Sequence, residues 1–128
     1  MEDPLAHLPK VLLRRDPLAY VRLGSEAWSW ELRGSWLLGV ATGFLWPEAP
    51  PPKDPEALFR RLEGAWREAE GYFLETGLDF PLLVSEWARE ALEPLLHRKR
   101  LPPYPSLQGA FAQGLALGRR VRQGFPQG

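Results

Sequence analysis

The stretch Trp28-Ser29-Trp30-Glu31-Leu32-Arg33-Gly34-Ser35-Trp36-Leu37-Leu38-Gly39-Val40-Ala41-Thr42-Gly43-Phe44-Leu45-Trp46 decides how this chain is read. Trp28, Trp30 and Leu32 alternate with Ser29, Glu31 and Arg33, the period of two that puts apolar groups on one face of a strand. Arg33-Gly34-Ser35 reads as a turn, and Trp36, Leu38, Val40, Thr42, Phe44 and Trp46 alternate with Leu37, Gly39, Ala41, Gly43 and Leu45 in a return strand. Because that return strand is apolar on both faces, it is expected at the centre of a sheet, with glycines where another element approaches closely. Val11 to Arg15 and Tyr20 to Leu23 are weaker strand candidates for the same sheet.

Working outward, the pattern changes at Pro47 to Pro55, where five prolines in nine residues demand an extended connector. Beyond it the apolar period becomes helical. Leu58, Leu62, Ala65, Trp66, Ala69, Tyr72 and Phe73 predict a helix over 55–76 with Gly77 as its C-cap. Leu83, Val84, Trp87, Ala88 and Ala91 predict a second from Pro81 to about Glu93, kinked at Pro94 or restarted there as a short turn of Leu95, Leu96 and His97. A last helix, capped by Ser106 and running to about Gln123, would turn Leu107, Ala110, Phe111, Gly114, Leu115, Gly118 and Val121 inward. Its small residues Ala110, Gly114 and Gly118 form a smooth stripe for close packing within the chain or, alternatively, across a dimer seam. The expected fold is therefore α+β, an N-terminal antiparallel β-meander of three to four strands packed against about three C-terminal helices. An all-α alternative reads residues 4 to 23 as helical from the starts Asp3-Pro4 and Asp16-Pro17; Asp54-Pro55 repeats that signature before the first predicted helix.

Length and composition bound the class. A chain of 128 residues, 45% hydrophobic and 25% charged, fits a single globular domain over 1–128. The absence of cysteine excludes disulfides, thiolate chemistry and cysteine-ligated metal clusters. The nearly uncharged stretch from Gly34 to Pro47 is too short to span a bilayer, and the first residues lack a signal-peptide pattern. A cytoplasmic protein with no membrane partner is expected. Asparagine and isoleucine are missing and arginine far outnumbers lysine, a thermophile-like composition.

Net charge is zero but unevenly spread: residues 48–93 carry eleven acids and five bases, and residues 94–128 carry six bases and no acid. His97, Arg98, Lys99 and Arg100 together with Arg119, Arg120 and Arg122 form a candidate anion-binding cluster, with Tyr104 nearby for stacking. The pI of about 6.7 is low for a nucleic-acid binder. No HExxH, GxSxG, GxGxxG or Walker pattern is present, so no catalytic set, metal site or cofactor is expected. Carboxylates at helical spacing, Glu68 with Glu75 and Glu86 with Glu90 and Glu93, read as wet helix faces. Trp28, Trp30 and Trp36 mark either a core or an interaction surface. The function expected is a non-enzymatic protein-interaction or ligand-binding module, homo-oligomeric or joined to another protein. Anion or nucleic-acid binding through the basic cluster is the alternative, and an enzyme with a carboxylate-lined pocket the third.

Overall fold

The computed structural model describes residues 10–96 and 101–124. Six helices account for its regular structure: α1 (Lys10–Arg15), α2 (Pro17–Glu26), α3 (Trp30–Leu45), α4 (Pro55–Thr76), α5 (Phe80–Leu96) and α6 (Tyr104–Gly124). No strand occurs among the described residues, so the expected α+β fold and its β-meander are overturned. The weaker strand candidates at 11–15 and 20–23 lie in α1 and α2, and the expected hairpin is one helix.

The cause of the misreading is where α3 sits. From Gly34 to Phe44 every residue is buried, because neighbouring helices cover this helix on all sides. A helix wrapped on every side has no polar face, so it carries no 3.6-residue signature and its uninterrupted apolar run mimics a central strand. The tryptophans show the error locally: Trp28 and Trp30, expected on one face, part company at 8% and 44% exposure. Trp28 sits in the turn before α3 and packs its ring against Trp36, 6.4 Å between centroids.

Close packing around α3 depends on residues without bulk. Ser35, Gly39 and Gly43 recur every four residues on α3, as Ala110, Gly114 and Gly118 do on α6, and the two stripes interlock. A Cβ at Gly39 would run into the Phe111 carbonyl and lie 2.9 Å from the Leu115 nitrogen; one at Gly114 would run into the Trp36 carbonyl and lie 2.9 Å from the Val40 nitrogen. The backbones therefore touch directly, and the matched order of contacts makes the two helices parallel. The Ser35 hydroxyl adds a buried hydrogen bond to the Leu107 carbonyl, 2.6 Å. The stripe on α6 is thus spent inside the chain and is not a free dimer seam.

The other directions follow from contacts. Gly34 meets Leu92, while Phe44 meets Phe80 at 5.2 Å, so α5 runs against α3. Tyr72 packs edge-on to Phe44 at 5.5 Å, and Arg89 lies over Trp66 at 5.4 Å, so α4 runs with α3 and against α5. Arg22 lies over Trp87, 5.0 Å from its centroid, and Pro17 shares a cleft with Phe80, which sets α2 parallel to α5. Two of the three Asp-Pro signatures are helix starts: the Asp16 carboxylate accepts from the Ala19 N–H (3.1 Å) and that of Asp54 from the Ala57 N–H (2.8 Å). Asp3-Pro4 lies outside the described residues. The Gly77 cap is as expected, at φ 77° with its N–H donating to the Phe73 carbonyl. Pro94 does not end α5, which continues to Leu96.

Parallel α3 and α4 require a long return, and the proline segment supplies it. Arg119 donates to the carbonyls of Pro47 and Ala49, Arg61 to Pro50 (3.2 Å), and the Tyr104 hydroxyl (2.6 Å) and Gln108 amide (3.3 Å) to Pro52. Five residues of extended chain span about 15 Å, close to the roughly 16 Å of eleven residues of helix between Gln108 and Arg119. The strap therefore lies back along α6. Prolines leave it without N–H groups for a ladder, so side-chain donors satisfy its carbonyls.

Candidate binding groove

The end of the bundle where α3, α4 and α6 finish carries the main concavity. α1 buries none of its residues fully, and it rests on the rest of the chain through the partly buried Leu12 and Leu13. Its Lys10 and Arg14, four apart, share a helical face, and Arg15 follows before the Asp16 cap turns the chain into α2. The last turns of α6 bring up Arg120, Val121 and Gly124. Between them lies a groove of about 760 Å³ with Leu13, Pro17 and Val121 as apolar floor and Lys10, Arg14, Arg15 and Arg120 around it.

Among the described residues no acid lines this groove, and none of its four cations makes a hydrogen bond or ion pair. Helix dipoles offset only part of the charge, since the C-termini of α1 and α6 amount to roughly half a negative charge each against four positive ones. Among the described residues the groove therefore keeps a surplus of positive charge, in a concavity whose size is typical of ligand sites.

The expected basic cluster is divided by the structure. His97, Arg98, Lys99 and Arg100 lie outside the described residues, as does His7. Arg119 is engaged with the strap, and Arg122 donates to the Phe44 carbonyl at 2.9 Å while its guanidinium stacks 5.1 Å from the Phe44 ring and 5.2 Å from that of Tyr72. Arg122 thus caps the C-terminal end of α3, where a cation complements the helix dipole, while Arg119 ties down the strap just beyond it. Only Arg120 faces the groove. Sequence reasoning missed Lys10, Arg14 and Arg15 because 11–15 was read as a strand; the four-residue step from Lys10 to Arg14 and the helix start at Asp16 were the available signals.

Of the tryptophans expected as core or interaction surface, Trp28 and Trp36 are core and Trp30 is exposed. Tyr104 is spent on Pro52, and burial, reinforced by the charge of Asp54 and opposed by Arg61, pushes its hydroxyl above the ordinary tyrosine range. Burial also lowers the Arg61 guanidinium, an effect that Tyr104 opposes.

The carboxylates do not converge alone. A cleft of about 290 Å³ between α4 and α5 holds Glu63 and Glu93 with Arg67 and Arg89, and Glu93 pairs with Arg89 at 3.2 Å. Another of about 240 Å³ holds Glu26 and Glu90 with Arg22 and Arg33. In both, two acids are balanced by two arginines. Glu68 and Glu75 are exposed. Ser85 is fully buried with its hydroxyl unpartnered. No group of three or more metal-ligating side chains occurs among the described residues, and no described helix is long and apolar enough to cross a membrane. No protein-family model matches the chain, nor does any curated protein or any solved structure.

Proposed function

We propose that this protein is a non-catalytic binding module that receives an anionic, partly apolar protein segment in the groove between α1 and α6. The observation that carries this reading is the set of four cations, Lys10, Arg14, Arg15 and Arg120, without a partner among the described residues and arranged over an apolar floor. Unpaired like charges held together raise the free energy of the folded chain, and an incoming carboxylate removes that cost while forming bidentate arginine contacts. A protein segment is favoured over a nucleic acid because the chain has no net charge and the groove offers Leu13, Pro17 and Val121 rather than aromatic rings for base stacking.

The test is fluorescence anisotropy with a short labelled peptide of alternating glutamate and leucine. Saturable binding is expected, weakened by salt once the Debye length falls below about 10 Å and lost in Arg14→Glu/Arg120→Glu. Equal binding by that variant, or tighter and salt-steep binding of a single-stranded oligonucleotide, refutes the reading.

A further inference from the structure

The same end of the bundle carries a surface that mirrors the groove. Tyr72 of α4 packs on Phe44 in the last turn of α3, so the residues that follow Tyr72 project past it. There Leu74 is 78% exposed, the most exposed large apolar side chain described, and Phe73 beside it is 38% exposed. From Glu68 to Asp79 the chain carries Glu68, Glu70, Glu75 and Asp79 and no base. All four acids are exposed, and none makes a hydrogen bond or ion pair among the described residues.

An exposed apolar tip with four acids along the same stretch of chain is thus the complement, in charge and in character, of an apolar floor bordered by four cations. The two surfaces share one end of the bundle: Pro17 of the groove also lines the cleft that holds Leu78 and Asp79, the residues that follow α4. Complementary patches at one end of a molecule can satisfy each other twice across a twofold axis, the apolar tip of each copy entering the partner's groove.

We infer that the segment received by the groove is the α4 tip of a second copy, so that two chains close end to end into a dimer. This rests on the reading of the groove as a site for anionic segments. The dimer places eight complementary charges of each sign at the two contacts and covers Leu74 of both copies.

The full-length chain should sediment as a dimer, with dissociation rising on the order of 100-fold in either Arg14→Glu/Arg15→Glu or Glu70→Lys/Glu75→Lys. Both pairs are exposed, and circular dichroism will show that the helices persist. Mixing the two variants is the decisive step. In the mixed pair each contact again joins opposite charges, so the dimer must return, and Leu74→Asp must weaken it in every combination. A monomeric wild type that still binds the glutamate–leucine peptide overturns this inference and leaves the groove reading standing; failure of both overturns both. A dimer indifferent to these variants, or a mass that grows with concentration beyond two chains, overturns the inference.

Discussion

Replacing Gly114 by alanine tests the packing that determines the fold. The added Cβ would meet the Trp36 carbonyl and sit 2.9 Å from the Val40 nitrogen, both backbone atoms that no rotamer change can move. Restoring van der Waals separation near 3.5 Å requires α3 and α6 to part by about an ångström along their whole shared face. Overpacking of this kind costs about 1–3 kcal/mol, more where rigid backbone is the obstacle, and the gain in helix propensity of up to about 1 kcal/mol offsets only part. A net loss of about 2–3 kcal/mol is expected, or roughly 8–12 °C in Tm for a domain of this size. Gly109 provides the control: it lies on the same helix, and an added Cβ there would have no neighbour within 4 Å. Gly109→Ala should therefore stabilise by up to about 1 kcal/mol. Urea denaturation followed at 222 nm, with m-values compared, measures both. If Gly114→Ala is neutral or stabilising like its neighbour, the direct backbone contact between α3 and α6 is refuted.

The remaining predictions concern polar devices and the groove. Arg122→Met should lower stability by about 1–3 kcal/mol by leaving the Phe44 carbonyl without its charged donor, and Arg122→Lys should recover only part of that loss, since an ammonium cannot stack as a plane on Phe44 and Tyr72; chemical denaturation will show the order. The raised Tyr104 hydroxyl binds its proton more tightly in the folded chain than in the unfolded one. Its contribution is therefore complete below the ordinary tyrosine value of about 10 and is lost as pH rises through the folded value. Stability measured from pH 8 to pH 12 should fall less steeply in Tyr104→Phe, which has no proton to lose. Measured at chain concentrations too low for dimerisation, Arg15→Glu should raise stability by a few tenths of a kcal/mol at low salt by relieving repulsion with Lys10, Arg14 and Arg120, while weakening the peptide. Thermal melts at 20 mM and 500 mM salt should show that gain fading as the charges are screened.

How much of this was legible in the sequence differs between its halves. The helices after the proline strap were read to within about three residues, α5 running on to Leu96 and α6 starting at Tyr104 rather than behind a Ser106 cap, because each has one wet face: Leu58, Leu62, Ala65 and Ala69 of α4 are buried while Arg60, Glu63, Glu68 and Glu70 stay exposed, so the 3.6-residue period survives in the string of letters. The inner face expected for α6, from Leu107 to Val121, is buried throughout. In α3 the period is erased by the very property that makes it central. The groove was half visible: Arg120 was named, but its partners on α1 depended on a helix only six residues long, too short to show a period.

One signal in α3 did point to a helix, and it is a matter of spacing rather than hydrophobicity. A strand brings neighbours together at every second residue, so glycines that admit a close approach on one face would fall at even steps of any size; a helix admits them only at steps near four. Gly39 and Gly43 are four apart, and so are Gly114 and Gly118 on α6, where a helix was already expected. Two stripes with the same step are the pattern of two helices packed at backbone distance, and a β-sheet gives no reason for the steps to match. The apolar run from Trp36 to Leu45 is also ten residues long, beyond the five or six usual for a strand. Read together, the matched glycine steps and the run length select the buried helix over the central strand.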